Sequence, residues 1–508
     1  MVRFLARRLA LALGILLTLS AFMYFMLDLA MDPLWDLRTS TSPNKAELIQ
    51  NRVNQLGLDL PWWERYWRWL THFVSGDFGL AWVTQQRVNE MLPGAIATSV
   101  QLVFAATMIA ILLGVVVGVV SALRQYTTFD YSITFVSFVL YALPVFWVAV
   151  LLKQFLAIGL NNYLNNPTVS WPAVIIVAII AGLFWAGAIG GDLRKKLLVF
   201  GISGLVTFGA LAYLLVSDWL TNPRIGYLGV AVIGLAWAVA VTVVFAGINN
   251  RRALYSALTT AVVGVVAHYA VQWLFYYVPG SWTLMLILLL VALGCGAGIG
   301  WLFGGPDRAV SMRGGALVAL MMAVLTFVDR VMQGWSLYFN SNVIKGRPIA
   351  TIGSETPGLG GDFWITQLDR FTHLLLPTIA LVLISFASYT RYQRGSMLEV
   401  LNQEYIRTAR AKGLTERVTI VRHALRNALL PLASVVPVDI ISLIGGAVIT
   451  ETIFGWNGMG KMFVTSLRNS EPDPVMAYVM ITGALAMVAN LVADFLYALL
   501  DPRIRVNA

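Results

Sequence analysis

Ser396–Pro431 reads SMLEVLNQEYIRTARAKGLTERVTIVRHALRNALLP, a basic interruption between apolar runs centred on 373–392 and 431–452. Its charges do not form a solvated block. From Leu414 the apolar residues Leu414, Val418, Val421, Leu425 and Ala428 recur at spacings of four and three, which lines one face of a helix. Thr415 and Glu416 suit the start of that helix, because a hydroxyl caps free N–H groups and an acid favours the positive end of the dipole. Gly413 stands just before it. The spacing therefore predicts helix, glycine turn, helix, lying on a membrane surface between two spans. Physically this is either an element that transmits force from a soluble partner or a basic helix held to anionic lipid.

The flanking runs are two of many. Of the 508 residues, 58% are hydrophobic and 12% charged, about half the charge of an average soluble domain, which excludes a soluble fold. The 17 Trp, 25 Phe and 18 Tyr exclude a disordered chain. A spanning helix needs about 20 apolar residues. Stretches of that length centre on 9–31, 96–123, 131–157, 172–190, 197–217, 226–248, 254–278, 282–303, 315–333, 373–392, 431–452 and 475–500. The fold class is thus an all-α polytopic membrane protein with about twelve transmembrane helices. The first stretch outruns a signal-peptide core and lacks its small-residue cleavage site, so it reads as a span. The lone Cys295 leaves no intrachain disulfide and no Cys-based metal site.

Charge gives the orientation. With both termini cytoplasmic, the short loops divide their Lys and Arg 21 inside against 3 outside, eight of the inner set lying between Arg391 and Arg426. This is the positive-inside pattern expected of a multi-pass protein of the cell (cytoplasmic or inner) membrane. One span more or fewer would destroy it. The net charge of +10 is then loop charge, and nucleic acid is not implied. Two long loops, 32–95 and 334–372, fall outside. In the first, LDLPWWERYWRWLTHF (Leu58–Phe73) alternates charge and aromatics at helical spacing, which suits an interfacial amphipathic helix or an aromatic belt.

The run YIRTARAKGL followed by RHALRNALLP resembles the cytoplasmic EAA loop of ABC importer permeases, in the oligopeptide, dipeptide and nickel branch. Arg407, Thr408 and Ala409 occupy the places of Glu-Ala-Ala, and Gly413 follows four positions later. Arg426 stands where the general motif has proline. Other segments are similar to the same family in order: LGLDLPWWERYWRWLTHFVSGDFGLAW (Leu56–Trp82), TPGLGGDFW with HLLLP (Thr356–Trp364, His373–Pro377), ETIFGWNGMG (Glu451–Gly460) and LLDPRIR (Leu499–Arg505). The likeness covers roughly 1–157 and 344–508. It implies a six-span permease core, with 1–157 its N-terminal part and 344–508 its C-terminal part, and an inserted six-span module at 158–343.

The resemblance further implies that this chain forms half of a pathway for peptides or similar solutes. Its partners would be a homologous second permease, two cytoplasmic ABC ATPase subunits and an external solute-binding protein. ATP and Mg would belong to the ATPases, with no cofactor and no enzymatic activity on this chain. The coupling residues would be Arg407, Thr408, Ala409, Arg410, Ala411, Lys412, Gly413, Leu414 and Glu416, within a loop of 398–430. Small Ala409 and Gly413 would admit an ATPase groove, and Arg410 and Lys412 would pair with its acids or simply obey the charge rule.

Inside the spans, Asp439 is the candidate pathway residue, because an intramembrane carboxylate faces a bundle interior or an aqueous path. Its alternative is a packing contact with another polar group. Lys153 is assigned to snorkelling and His268 to the core. Gly455, Gly460 and Lys461 satisfy most of a phosphate-loop pattern, yet Met462 replaces the Mg-binding hydroxyl, so nucleotide binding is not expected there. Gly294/Gly298 and Gly296/Gly300 offer two overlapping small-residue packing faces. A twelve-span secondary transporter, or a membrane scaffold that transports nothing, are the alternative readings; the lack of an internal repeat counts against the first.

Overall fold

The computed structural model describes residues 2–217, 219–247, 249–305 and 308–500. Among them, twelve helices are long and apolar enough to cross a membrane. The one β ladder among them pairs Leu80–Ala81 (β1) with Gln86–Arg87 (β2). Of the C-terminal LLDPRIR, residues 501–505 lie outside the described residues.

Helix α1 (Val2–Ala30) is followed by α2 (Trp35–Thr39), α3 (Lys45–Leu56) and α4 (Trp62–Val74). The amphipathic segment is the helix its spacing predicts. It lies against α1 through Tyr66 on Ser20 (2.8 Å) and Arg65 on Asp28 (2.5 Å), burying Trp69 and Leu70 and leaving Trp63 and Trp67 exposed.

Helix α5 (Val88–Leu123) packs along α16 (Phe363–Leu401) as the axis of the core. Contact is close because Gly114 and Gly118 sit against Tyr389, Thr390 and Gln393; a Cβ at either glycine would overlap α16 atoms. At one end Asp130 ties three helices together. It accepts Ser121 Oγ at 2.5 Å and both arms of Arg394 at 2.6 and 2.8 Å. A buried carboxylate needs such pairing.

The third span departs from the expected 131–157. Helix α6 (Thr128–Ala142) stops because Leu143, preceding Pro144, takes an extended backbone at ψ 127°. The spanning piece is 145–165: α7 (Val145–Leu151), a π-helical turn at Leu152–Ile158 and α8 (Gly159–Asn165). Nor does Lys153 snorkel. The π turn re-aims it so that Nζ donates to the Ile453 carbonyl at 3.0 Å, beside the Phe454 ring.

The middle of the chain holds α9 (Trp171–Ile189), α10 (Leu193–Val216), α11 (Gly226–Phe245), α12 (Arg251–Tyr277), α13 (Trp282–Gly304) and α14 (Arg308–Gln333), then short α15 (Trp335–Phe339). Helices α9 and α10 pair with each other, and α9 rests on α6; α11 to α14 form one four-helix group, which meets the core through α14 on α16. Only one of the two glycine faces is used. A Cβ at Gly296 or Gly300 would overlap the Gly315 or Ser311 carbonyl on α14, whereas Gly294 and Gly298 face open space. His268 is a core residue, as expected. It lies 3.5 Å from Asp329, whose carboxylate accepts the Ile225 and Gly226 N–H groups at 2.8 Å and so caps α11.

The helix entering this region runs on to Asn165, so an entry boundary at 157/158 cuts a helix; the chain turns away at Asn166. The two ends of the region meet. Asn161 exchanges hydrogen bonds with the Ile349 backbone, Nδ2 to O at 2.9 Å and N to Oδ1 at 3.0 Å, and Asn165 Nδ2 reaches the Gly346 carbonyl at 2.8 Å.

Candidate functional site

After α16 the chain forms α17 (Glu404–Ala411), a turn through Lys412 and Gly413, then α18 (Glu416–Val418), a π-helical Thr419–Ala424, α19 (Leu425–Ala428) and α20 (Leu430–Gly446). Helix, glycine turn and helix are therefore all present. Gly413 adopts φ +77°, the left-handed region that only glycine enters without strain. Thr415 caps the second helix, its hydroxyl accepting the Val418 N–H at 3.4 Å. The eleventh span, expected at 431–452, is 416–441, because this capped helix runs on into the apolar segment.

The buried face of the second helix differs from the 4-3-4-3 prediction. Ala428 of the predicted face is buried, but so are Thr419 and Ala424 outside it, while Leu414 and Val421 are exposed. The π turn accounts for Val421, which lies within it, since a widened turn rotates side chains relative to an α-helical register; Leu414 stands ahead of the Thr415 cap and is not part of the helix. Leu414 and Val421 thus remain as exposed apolar groups.

Helix α17 is fastened by two residues. Ile406, fully buried, enters a cluster with Ala122, Met397, Ala424 and Ala428, and Ala409 is buried beside it. Ala409 is therefore turned toward its own chain. Tyr405 Oη also accepts Asn427 Nδ2 at 2.8 Å. The opposite face presents Arg407, Thr408, Arg410, Ala411 and Lys412. Arg407 pairs with Glu404 at 2.8 Å, and Arg410 grips Glu416 with both arms at 2.7 and 3.1 Å. That hydrogen bond holds the Arg410 guanidinium further above its ordinary value. The Arg410–Glu416 bridge spans the Gly413 turn and fixes the angle between the two helices. Arg417, which sequence reasoning passed over, donates to the Val244 carbonyl at the end of α11 (Nε at 3.2 Å), joining this surface to the middle region. No spacing rule finds a contact between positions so far apart.

A second constellation lies at the other end of the core. The segment ETIFGWNGMG folds as α21 (Val448–Phe454), a left-handed Gly455 and α22 (Met459–Arg468), before α23 (Pro472–Leu500). Glu451, fully buried, accepts Ser99 Oγ at 2.5 Å and the Gly460 and Lys461 N–H groups at 2.8 and 3.1 Å. The helix N-terminus that a phosphate would occupy thus holds this chain's own carboxylate, the physical reason the glycine-lysine pattern is no nucleotide site. Lys461 Nζ is taken up by Asn457 at 2.8 Å. Asp439 is half-buried in α20 and interacts with Tyr389 of α16, so its neighbour is a polar group of the bundle.

The chain matches the family described as "Binding-protein-dependent transport system inner membrane component" over residues 267–506, a match that begins within α12. Its N-terminal counterpart, "Binding-prot-dependent transport system membrane comp, N-term", matches residues 1–86. Similar proteins include the oligopeptide transport system permease protein OppB of Mycobacterium bovis, 44% identical over 155 residues, or 30% of this chain and 48% of that one. The oligopeptide permease AppB of Bacillus subtilis is 50% identical over 136 residues, 27% and 43% of the two chains. The dipeptide permease DppB of Escherichia coli is 40% identical over 166 residues, 33% and 47%. The chain spans about half the length of the curated relatives it matches. With its twelve candidate spans and both halves of that match, the chain belongs to the binding-protein-dependent transport inner membrane permeases of the OppB/DppB-like kind.

Proposed function

We propose that the chain is the permease subunit of an ATP-driven importer for peptides or similarly sized solutes, forming half of the pathway. The observation that carries this is the α17–Gly413 surface. Its apolar side is locked into the bundle by Ile406, and its charged side, with Leu414, is exposed to a partner, Arg407 and Arg410 being held in place by Glu404 and Glu416. A helix packed at once on α5, α16 and the 424–428 segment that leads into α20 passes a push from that partner to all of them. On this reading Arg407, Thr408, Arg410, Ala411, Lys412, Gly413, Leu414 and Glu416 meet a cytoplasmic ABC ATPase, and Ala409 supports them from behind. ATP and Mg reside on the ATPases. A homologous second permease completes the pathway, with Asp439 beside it, and an external binding protein delivers the solute.

The six-span core and inserted module form part of the same proposal, the entry boundary moving from 158 to about 166. Support comes from the paired ends at Asn161–Ile349 and Asn165–Gly346, which let a core close without the region between them. Isolation of the protein from its membrane with mild detergent tests the reading. Two ATPase chains and a second permease should accompany it, with ATP hydrolysis stimulated by peptide-loaded binding protein. Uptake driven by an ion gradient without ATPases would instead identify a secondary transporter, and neither activity a scaffold.

A further inference from the structure

Between the core and the four-helix group lies a partly open cavity of about 460 Å³, walled almost wholly by carbon. Leu164 of α8 and Leu375 of α16 form its core wall; Trp282 of α13 and Phe327 of α14 form the opposite wall, with Trp335 at its edge. Arg370 of α16 stands at the rim. It makes no hydrogen bond or ion pair among the described residues, which is costly for a guanidinium near a bilayer. Its neighbour Phe371 is 60% exposed, so this flank of α16 faces outward.

We propose that this cavity binds one acyl chain of an anionic glycerophospholipid whose phosphate sits on Arg370. Three features select that occupant. Arg370 lies seven residues into α16, about 10 Å from its start at 1.5 Å per residue, and three indoles line the same cavity, Trp282 and Trp335 at the first residues of α13 and α15 and Trp219 in the loop before α11, as indoles do where headgroups meet hydrocarbon. The volume is that of a small-ligand site, yet apart from Gln101, Gln367 and Thr372 its lining offers little to hydrogen-bond a peptide backbone. The one unpaired charge is positive and suits a phosphodiester, which guanidinium binds with paired, charge-assisted hydrogen bonds.

An acyl chain gains no hydrophobic free energy on moving from bilayer to protein. Discrimination must therefore come from the headgroup, and chain packing supplies retention. The bound lipid would mortar the inserted module to the core beside the direct contact of Phe275 and Val331 with Trp364 and Leu368. The inference needs only that the spans lie in a bilayer, and stands or falls apart from the transport reading.

Titration of the purified full-length protein with phosphatidylglycerol and with phosphatidylcholine of identical chains, read by native mass spectrometry, tests it. One phosphatidylglycerol should be held about tenfold more tightly than phosphatidylcholine, the order of one charge-assisted contact. Arg370→Gln should bring the two lipids within twofold of each other, and Arg370→Lys should keep most of the preference. Leu164→Trp, which fills the cavity, should abolish tight retention of both, with an unchanged melting temperature showing that the fold survives. Equal retention of the two lipids by the wild type, a preference that survives Arg370→Gln, or retention that survives Leu164→Trp would each overturn the site. So would displacement of the lipid by a hydrophobic peptide at matched concentration.

Discussion

Replacing Gly413 isolates the contribution of one backbone angle to coupling. At φ +77° an L-residue costs about 1–2 kcal/mol. Nothing lies within 4 Å of the place a Cβ would occupy, so within this chain the cost is conformational and not steric. A shift of 1–2 kcal/mol is about five- to thirtyfold in an equilibrium. Gly413→Val should therefore lower the equilibrium constant for the formed turn by about that factor, and coupled transport by up to that factor. Gly413→Asn should lose much less, because asparagine enters the left-handed region more readily. Both variants should insert normally, since the turn lies before the 416–441 span. The assay is peptide-stimulated ATP hydrolysis alongside uptake in proteoliposomes holding the intact complex. Equal loss in the two variants would refute the backbone argument in favour of a direct contact at Gly413, and unchanged coupling in both would remove the turn from the mechanism.

With Cys295 replaced, a cysteine at Lys195 should react with a membrane-impermeant thiol reagent only from the cytoplasm and one at Arg224 only from outside; the reverse would sink the charge-derived orientation. Gly300→Leu should destabilise the α13–α14 contact by about 1–3 kcal/mol through overpacking, whereas Gly298→Leu, facing open space, should leave the thermal midpoint unchanged. Asn161→Leu orphans the Ile349 N–H and carbonyl and should cost about 1–3 kcal/mol for each group left unpaired. It should loosen the seam between the two ends of the middle region, visible as faster proteolysis near residues 346–349.

Much of this architecture is written in local sequence. Span number follows from the length of apolar runs, and the Gly413 turn and Thr415 cap from residue types whose preferences act over three or four positions. What escaped depends on contacts far apart in the chain or on helix irregularity. The π turn at 419–424 turned Val421 out of the predicted face, Leu414 fell ahead of the helix that Thr415 caps, and the π turn at 152–158 sent Lys153 to a carbonyl instead of the headgroups. Pro144 was a readable stop signal in a run otherwise long enough to span. Glu451 illustrates the middle ground. An acid ahead of a glycine turn that opens a helix is a capping signal, but its Ser99 partner on α5 has no trace in local spacing. The tie between Asn161 and Ile349, and that between Arg417 and Val244, belong wholly to the folded state.

The central claim is that the outward face of α17 meets an ATPase while its inward face holds the bundle. Site-directed cross-linking tests it most directly. In the Cys295-free background, single cysteines at Arg407, Thr408, Ile406 and Ala409 are treated with a short thiol-to-amine cross-linker in membranes containing the whole transporter. An ATPase adduct is expected from positions 407 and 408, altered in yield by ATP, and none from the buried positions 406 and 409. Adducts from all four positions alike, or from none, would contradict it.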